Sequence, residues 1–393
     1  MEGNTSKVAK LPTPSNSNPD PWEPRAASLK VRSYLEMFGP GFLVGKPPAV
    51  GQAQFRGVEP GPHTPNRRNY VFRHDLITDA LLWLSGMLER NLWIAGPTRS
   101  GKSSFVQEIA AATGWEVFEF CGSKDKRDYD AVGGMELVQS GNAAVSEFMP
   151  GALLQAMLSP AGILLINEGD QLPEAFWTAM HDLLDNQKIY VPALKREVRA
   201  SRHFRIAVTA NSGGLGDVSK LYRGVQRVNI ATLLRFSHMR IDYMREEDEI
   251  GWLLTEVPGL HETAARVIVR TAAEMRSAFV GSINVNAAST SQALPTSGDK
   301  LELVLGLQQC KNWAIRMLAY EQASWIKSAN LDPMQEALMR TVLNICNDHS
   351  NLHQVEAVKQ MLQSVRARTK VTTKAKQQAS TQSGAQQAAP ATP

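Results

Sequence analysis

The alternation of apolar and polar positions divides the first part of the chain into segments of two different periods. Residues 75–89 carry apolar side chains at helical spacing, which predicts an amphipathic helix. The short apolar run at residues 91–95 is typical of a strand, and residues 104–112 return to a helical pattern. Residues 115–120 alternate between apolar and polar side chains and predict a second strand.

Two later apolar stretches, residues 163–166 and 204–210, are continuous, as expected for strands buried on both faces of a parallel sheet. Residues 239–243 predict the last strand of this set. Strands separated by helices predict an α/β fold in which helices cover both faces of a parallel sheet. The other elements predicted here are a hairpin of residues 135–138 and 144–148, helices at 151–158 and 173–184, and a second hairpin around 189–191.

Beyond residue 245 the pattern becomes almost wholly helical, apart from a loop rich in Ser, Asn and Ala at residues 281–298. The predicted helices are 245–255, 262–279, 300–328 and 333–346. Both ends of the chain have compositions that disfavour a packed core. The predicted organisation is a disordered tail (1–27), a small N-terminal arm or module (28–68), an α/β core (69–245), a helical domain (246–365) and a disordered C-terminal tail (366–393).

The composition narrows the class of protein. With 393 residues, of which 43% are hydrophobic and 20% charged, the chain has a globular profile and room for two or three domains. A net charge of +4 is too small to argue for a nucleic-acid partner. Three widely spaced cysteines indicate a reducing compartment. The sequence contains neither an apolar run of transmembrane length nor a secretory signal, so we expect a cytoplasmic protein without a membrane partner.

The segment between the first predicted strand and the helix after it matches the phosphate-binding pattern G-x-x-x-x-G-K-[ST]. Gly96 and Gly101 allow the backbone to turn tightly and to direct its N–H groups at phosphate oxygens. Lys102 is predicted to reach the β- and γ-phosphates of ATP, and Ser103 to ligate Mg²⁺. A chance match in a glycine-rich turn is the alternative, which the order of strand, loop and helix disfavours. The predicted nucleotide-binding residues are Gly96, Pro97, Thr98, Arg99, Ser100, Gly101, Lys102, Ser103 and Ser104.

Polar residues directly follow two of the buried strands. Asn167 and Glu168 follow residues 163–166, and Asn211 follows residues 204–210. Ligands of open parallel sheets bind at the carboxyl ends of the strands, so these residues are expected beside the phosphate loop. Glu168 fits a general base that activates water, and Asn167 could support Mg²⁺ through its amide oxygen. Asn211 could orient the water or contact the γ-phosphate. The alternatives are a polar strand end or helix cap for Asn167 and Glu168, and an ordinary turn residue for Asn211.

Arginines near the last predicted strand are a further candidate group. Arg235 precedes that strand closely, and Arg223 and Arg227 lie shortly before it. One of them could act in trans on the nucleotide of a neighbouring subunit, as an arginine finger. An ordinary surface salt bridge is the alternative, which we favour for Arg223 and Arg227. The predicted catalytic set is Lys102, Glu168, Asn211 and Arg235.

Together these motifs resemble the AAA+ ATPases, and within them the MoxR-like and dynein-related branch that includes the small ATPase subunits of cobaltochelatases. The likeness is strongest in residues 204–217 and 221–229, and it covers roughly residues 30–280. The resemblance implies an AAA+ P-loop αβα sandwich followed by a helical lid, with ATP and Mg²⁺ as cofactors and ATP hydrolysis as the activity. It also implies a ring of subunits, typically a hexamer, a partner with a von Willebrand A-type domain, and a protein target that is remodelled.

Two features depart from the pattern of this family. The family has Asp at the position of Asn167, and its lid helix opens with a Ser-Pro-Arg motif where this chain has Leu294-Pro295-Thr296, with Lys300 nearby. Both changes bear on hydrolysis rather than on nucleotide binding. Three functions therefore stay open: an ATP-driven remodelling subunit, a nucleotide-binding scaffold with weak hydrolysis, and a nucleic-acid motor of the mobile-element or restriction type. The last ranks lowest, because the sequence has no stripe of basic and aromatic residues.

Overall fold

The computed structural model describes residues 20–38, 43–44, 54–68, 70–140, 143–216, 224–280, 301, 303–343 and 354–369. The chain divides into two compact units, one of residues 1–97 and 101–242, and one of residues 98–100 and 243–393. The first unit combines strands and helices, whereas the described part of the second unit is helical.

Strands and helices alternate along much of the first unit. Its strands are β1 (Leu29–Ser33), β2 (Leu43–Val44), β3 (Gln54–Val58), β4 (Phe72–Arg73), β5 (Asn91–Ala95), β6 (Glu116–Cys121), β7 (Gly133–Ser140), β8 (Ala143–Pro150), β9 (Gly162–Asn167), β10 (Lys188–Val191), β11 (Arg196–Arg199), β12 (Arg205–Ala210) and β13 (Ser237–Arg240). Its helices are α1 (Tyr34–Phe38), α2 (His74–Ser85), α3 (Lys102–Thr113), α4 (Asp128–Val132), α5 (Ala152–Leu158), α6 (Glu174–Ala179), α7 (His181–Asn186) and α8 (Ile230–Leu233), with short 3-10 turns at Gly169–Gln171 and Pro192–Leu194.

Five of these strands form a parallel sheet in the order β13-β5-β12-β9-β6. The central strand β12 pairs with β9 on one side and with β5 on the other, as far as Ala210 opposite Ala95. The edge strand β6 pairs with β9 as far as Cys121 opposite Asn167. The carboxyl ends of four strands therefore lie along one edge of the sheet, which is where open parallel sheets bind ligands.

Successive side chains of the inner strands enter two different apolar layers. Trp93 and Leu164 belong to the layer that contains α5, α6 and α7, whereas Ile94 and Leu165 belong to the layer that contains α2 and α3. Because helices cover both faces, these strands are apolar at consecutive positions. The predicted α/β fold, with a parallel sheet between two helical layers, is confirmed.

Smaller two-stranded sheets surround this sandwich. The pairs β1–β3, β7–β8 and β10–β11 are antiparallel, and β2 pairs with β4 in parallel. Both predicted hairpins are therefore present, as β7–β8 and β10–β11. The turn of the first hairpin, residues 141–142, lies outside the described residues.

The described part of the N-terminal segment, residues 20–28, touches both hairpins. Half-buried Trp22 packs edge-on against Phe148 of β8, with the ring centroids 5.5 Å apart. The carboxylate of Asp20 accepts a hydrogen bond of 2.5 Å from the Arg196 guanidinium of β11. These contacts involve residues whose composition alone predicts a disordered tail.

The second unit contains α9 (Glu246–Glu256), α10 (Glu262–Val280), α11 (Leu307–Gln322), α12 (Ser324–Ser328), α13 (Pro333–Leu343) and α14 (residues 354–369). An ion pair lies inside its apolar core. Arg276 donates two hydrogen bonds of 2.7 Å to the carboxylate of Glu249 and a third, also of 2.7 Å, to the carbonyl of Leu305. Both charged side chains are buried, so the removal of either one would leave an uncompensated charge in the core.

Two predicted elements of the first unit differ from the structure. The helix predicted at residues 173–184 is divided at Met180, whose amide is shared between two carbonyls at 3.2 and 3.1 Å. This sharing tightens the helix locally and separates α6 from α7. The last strand is Ser237–Arg240 rather than 239–243, because it pairs only along β5, which ends at Ala95.

The helical region also differs from the prediction. The helix predicted at residues 300–328 begins only at Leu307, after buried extended residues and an N-cap at Gly306. The apolar pattern does not predict α14, which runs past residue 366, where the composition places the start of the C-terminal tail. The predicted loop at residues 281–298 lies outside the described residues.

None of the helices that the structure describes is both long enough and apolar enough to cross a membrane. Cys121 is exposed, Cys310 is buried, and both are free thiols. The third cysteine, Cys346, lies outside the described residues.

A buried arginine joins the sheet to α2 and generates a prediction about stability. The guanidinium of Arg205, at the start of β12, donates to the carbonyls of Trp83 (2.9 Å) and Leu84 (2.8 Å) in the last turn of α2. Arg205→Ala would remove the side-chain donor to the Leu84 carbonyl, leave the Trp83 carbonyl with only the Gly86 amide (3.1 Å), and open a cavity. We expect the free energy of unfolding to fall by about 2–4 kcal/mol, measured by denaturant unfolding followed by circular dichroism.

The matched control is Arg199→Ala on β11, since the Arg199 side chain is 72% exposed and forms only a surface ion pair with Glu197. Its removal should cost less than about 1 kcal/mol. Equal losses in the two variants would show that the hydrogen bonds of Arg205 do not stabilise the fold.

Candidate functional site

The predicted phosphate loop connects β5 to α3 at the carboxyl edge of the sheet. The amide of Gly96 donates to the carbonyl of Ala210 at 3.2 Å, which ties the start of the loop to the central strand β12. Gly101 caps α3 with a φ of +91°, a left-handed conformation that glycine adopts without strain. The loop therefore delivers Lys102 and Ser103 to the first turn of a 12-residue helix, whose free N–H groups and dipole favour an anion.

The other predicted residues of the loop lie in the same turn. Arg99 is exposed and also left-handed, with a φ of +61°. Ser100 is buried, and Ser104 is half-buried in the first turn of α3. Pro97 and Thr98 complete the turn. The role of these five loop residues in nucleotide binding stays a prediction, because the loop geometry alone does not identify a ligand.

The ammonium group of Lys102 lies among oxygen atoms of the site. Its Nζ donates to the carbonyls of Gly96 (2.8 Å) and Pro97 (2.7 Å) and to Oδ1 of Asn211 (3.2 Å). Burial lowers the pKa of Lys102 to about 8, and the carboxylates of Asp170 and Glu168 act in the opposite direction. All three acceptors are neutral, so exchange of one of them for a phosphate oxygen would give a stronger, charge-assisted bond.

Four hydrogen-bonded side chains link α3 to three neighbouring strands. Oδ1 of Asn167 on β9 accepts hydrogen bonds from the hydroxyls of Ser103 (2.5 Å) and of Thr209 on β12 (3.2 Å). Nδ2 of Asn167 donates to Oε2 of Glu119 on β6 at 3.0 Å. The network brings hydroxyl, amide and carboxylate oxygens together beneath the phosphate loop.

These oxygen donors fit Mg²⁺, which prefers oxygen ligands. Among the described residues, no group of three or more His, Cys, Asp or Glu side chains could hold a metal ion. Mg²⁺ at nucleotide sites needs no such cluster, because it keeps several waters and takes its other ligands from phosphates. The residues present therefore suit a cation that arrives with a nucleotide, with Ser103 as a direct ligand and Asn167 as a ligand through water.

Glu168 follows β9 in a left-handed conformation, with φ and ψ of +56° and +43°, which is uncommon for a residue other than glycine. Its exposed carboxylate accepts a hydrogen bond of 2.7 Å from Gln171. The next residue has to be Gly169, because a Cβ there would overlap Cγ1 of Val208. This turn presents the Glu168 carboxylate at the strand end, where a base that activates water is required.

Asp170 holds the turn that carries Asn211. It is fully buried, and its Oδ2 accepts hydrogen bonds from the amides of Asn211 (2.9 Å) and Ser212 (3.1 Å) and from the Ser212 hydroxyl (3.1 Å). Burial raises the pKa of Asp170, and the same hydrogen bonds act against that rise. Because this carboxylate fixes the backbone of Asn211, it also holds the side chain whose oxygen contacts Lys102.

Three residues of this site were not assigned from the sequence. The sequence contains a signal for two of them. Asp170 is a second acidic residue shortly after β9, and Thr209 is a polar residue within an otherwise apolar strand. Glu119 looked like any solvent-facing position of an alternating strand. Only the adjacency of β6 and β9 in the sheet shows that Glu119 reaches Asn167.

Arg235 lies away from the phosphate loop. Its carbonyl accepts a hydrogen bond of 3.0 Å from Asn91, and its guanidinium donates to Asp185 at 2.8 Å. Asn91 begins β5 whereas the loop follows Ala95 at the other end, about 13 Å further along the strand. Arg235 therefore lies at the end of β5 opposite the phosphate loop.

The structure describes one of the other two arginine candidates. Arg227 is exposed, and Arg223 lies outside the described residues, as do Leu294-Pro295-Thr296 and Lys300. The structure thus forms two hydrogen-bonded pairs from adjacent residues of α3, Lys102 with Asn211 and Ser103 with Asn167. Glu168 directly follows Asn167, and Arg235 lies apart.

Comparisons with known proteins agree with this geometry. Residues 91–228 match the AAA domain of the dynein-related subfamily. The chain is 26% identical over 197 residues to the aerobic cobaltochelatase subunit CobS of a Sinorhizobium species, an alignment that covers 49% of this chain and 59% of CobS. It is 27% identical over 184 residues to midasin of Dictyostelium discoideum, which covers 47% of this chain and 3% of midasin. The chain thus matches little more than half of the first relative and a small part of the second.

Among solved structures, a RuvB mutant of Thermotoga maritima overlaps with 70% of this chain and 68% of its own, at a TM-score of 0.40 and 12% identity. That likeness is too weak to support an argument. The family match, by contrast, includes the phosphate loop and the strand ends at Asn167 and Asn211, and stops before Arg235. Residues 91–228 match an AAA domain of the dynein-related subfamily, and the chain is similar to the AAA+ proteins of the MoxR-like and CobS-like type.

Proposed function

We propose that this chain binds ATP together with Mg²⁺ and hydrolyses it to ADP and phosphate. The observation that carries the proposal is that adjacent residues at the start of α3 bond two different strand ends, Lys102 to Asn211 and Ser103 to Asn167. A phosphate loop, a metal-supporting side chain and a polar residue at the next strand end are the parts that phosphoryl transfer to water requires. The match of residues 91–228 to an AAA domain supports the same activity.

In this proposal the backbone N–H groups of the phosphate loop and the first turn of α3 hold the phosphate oxygens. Lys102 exchanges a carbonyl partner for a β- or γ-phosphate oxygen. The Ser103 hydroxyl donates its proton to Asn167, so its oxygen lone pairs would be free to ligate Mg²⁺. When bound, Mg²⁺ neutralises charge on the β- and γ-phosphates.

The hydrolytic step needs a base next to the γ-phosphate. The Glu168 carboxylate accepts a proton from water while the water oxygen forms a bond to the γ-phosphorus. The bond between that phosphorus and the β–γ bridging oxygen breaks, and its electron pair leaves with ADP. Asn211 orients the water or the γ-phosphate, since Asp170 holds its backbone and its side-chain oxygen already contacts Lys102.

The position of Arg235 supports the proposal that several copies of the chain assemble into a ring, which we expect to be a hexamer. Arg235 reaches a nucleotide only from a neighbouring subunit. The printed name of CobS describes it as a subunit of a cobaltochelatase. We propose a comparable setting here, with a partner that carries a von Willebrand A-type domain and a protein target that the complex remodels in the cytoplasm.

The same proposal assigns a role to each segment of the chain. Residues 69–245 act as the ATPase core and residues 246–365 as a helical lid. Residues 28–68 form an arm on the core, and residues 1–27 and 366–393 are tails.

Replacement of Glu168 tests the hydrolytic step. Glu168→Gln removes the base but keeps the size and polarity of the side chain, so ATP binding should persist. Turnover should fall by at least about a hundredfold, because general base catalysis contributes about 10²–10⁴ to the rate. Release of phosphate at saturating ATP gives the measurement.

Glu174→Gln, in the first turn of α6, is the matched control and should leave turnover within about twofold of the original protein. A parent protein that hydrolyses ATP no faster than Glu168→Gln would identify a nucleotide-binding scaffold instead of an ATPase. The absence of Asp at position 167 makes this the main competing function.

The lowered pKa of Lys102 predicts a pH dependence of nucleotide binding. A bound phosphate favours the charged ammonium and raises its pKa, so binding should be strongest below the free-state pKa of about 8 and weaken as the pH rises above it. We expect about tenfold lower affinity at pH 9 than at pH 7, measured with a fluorescent ADP analogue.

Lys102→Ala is the control for this titration. Its residual affinity should be lower at every pH and should not fall between pH 7 and pH 9, because no ammonium titrates at the loop. A flat profile for the original protein would show that Lys102 stays charged throughout.

The trans role of Arg235 can be tested by mixing two inactive variants. Arg235→Ala subunits keep an intact loop, and Lys102→Ala subunits keep the arginine. A mixed ring should regain part of the activity at interfaces that pair an intact loop with an intact arginine.

Arg223→Ala, mixed with Lys102→Ala in the same way, shows which arginine is the finger. Lack of recovery with Arg235→Ala, although a tag on one variant co-purifies the other and so shows mixed rings, would exclude Arg235 from the trans role.

A further inference from the structure

Glu119 occupies an unusual place beside the candidate metal site. It lies on β6, the edge strand next to β9, and its side chain is exposed. Both of its carboxylate oxygens accept hydrogen bonds, Oε2 from Nδ2 of Asn167 at 3.0 Å and Oε1 from Nε2 of Gln107 at 2.5 Å. A carboxylate therefore lies one hydrogen bond beyond the position where this chain carries Asn167.

The first consequence concerns the orientation of the Asn167 amide. An amide group can rotate by half a turn and exchange its donor and acceptor ends. The Glu119 carboxylate only accepts hydrogen bonds, so it selects the orientation in which Nδ2 faces β6. Oδ1 is then directed at the hydroxyls of Ser103 and Thr209. Without that carboxylate, the opposite orientation would direct an NH₂ group at the place where a cation is expected.

The second consequence concerns charge. Asn167 supplies an oxygen but no negative charge beneath the phosphate loop. Only its amide group separates the Glu119 carboxylate from the Ser103 hydroxyl. Over so short a path salt screens the charge weakly, because the Debye length is about 8 Å at physiological ionic strength.

We propose that Glu119 and Asn167 together support Mg²⁺ at this site. Asn167 offers the oxygen, and Glu119, from the neighbouring strand, holds the amide in orientation and supplies the negative charge that Asn167 lacks. Glu119 is a positioning residue in this arrangement, since it acts on the cation through Asn167. The inference rests on the proposed binding of Mg²⁺ with a nucleotide.

The two positions should therefore depend on each other. In the presence of Asn167, Glu119→Gln removes both the charge and the preference for one amide orientation. In an Asn167→Asp background a carboxylate already lies under the loop and has no donor end to turn towards the cation. There Glu119→Gln also replaces the repulsion between two neighbouring carboxylates by a possible hydrogen bond, so it should not greatly reduce the contribution of Mg²⁺.

The experiment measures the affinity of a fluorescent ADP analogue, once in saturating Mg²⁺ and once in EDTA. The proteins compared are the original chain, Glu119→Gln, Asn167→Asp and the double variant. The ratio of the two affinities is the contribution of Mg²⁺, and it requires no hydrolysis. Glu119→Gln should reduce this ratio by about tenfold or more, the usual size of a change in groups that orient metal ligands. Its affinity in EDTA should stay within about twofold of the original, because the phosphate loop is unchanged. In the Asn167→Asp background the reduction should be less than about threefold.

Glu136→Gln is the matched control, because it removes one exposed negative charge from β7 and should leave the ratio unchanged. Glu119→Asp keeps the charge but shortens the side chain. Its ratio of affinities should lie between those of the original protein and Glu119→Gln. Thermal unfolding of each variant shows whether the fold is retained.

The outcomes separate this inference from the proposed function. An unchanged ratio in Glu119→Gln, or equal reductions in both backgrounds, overturns the partnership of Glu119 and Asn167 and leaves nucleotide binding intact. Nucleotide binding that Mg²⁺ does not alter in the original protein also overturns it. Failure of the original protein to bind the nucleotide under both conditions overturns the proposed function itself.

Discussion

The central position of β12 in the parallel sheet is the constraint on which the site depends. This strand pairs with β5 on one side and β9 on the other, so the phosphate loop and the strand ends at Asn167 and Asn211 meet at one edge. Two hydrogen bonds hold these segments together. The Gly96 amide donates to the β12 carbonyl of Ala210, and the Asn211 amide donates to the carboxylate of Asp170. Because backbone groups take part in both, the polar side chains above them are already positioned, as catalysis by charge stabilisation requires.

Charge at this edge is distributed over several elements. Burial lowers the pKa of Lys102 and raises that of Asp170, so each group is held in surroundings that disfavour its charged form and is supported by charges nearby. A negatively charged ligand would therefore favour the charged form of Lys102. An additional carboxylate directly under the loop would add to the repulsion that Asp170 and Glu168 exert on such a ligand. An uncharged Asn167 with a carboxylate one strand away is a compromise between these two demands.

The local pattern of apolar residues predicts the strands of the sheet well. Burial on both faces requires consecutive apolar residues, and such a run can be recognised without knowledge of distant contacts. The same reasoning fails where packing decides, as at residues 303–306, which are buried outside any helix although the apolar pattern predicts that the helix includes them. Asn167 and Asn211 are predictable because strand ends share an edge. Glu119 is not, since its role follows from the adjacency of β6 and β9, which the order of elements along the chain does not reveal.

The contacts of residues 20–28 have a consequence for the choice of fragments. Trp22 covers Phe148 on one hairpin, while Asp20 is bound to Arg196 on the other. A fragment cut to begin at the first strand would expose an aromatic ring and leave an arginine without its carboxylate, although it would keep the whole sheet. The smallest well-behaved version of the first unit therefore starts upstream of Asp20, so that both hairpins keep the contacts that join them to this segment.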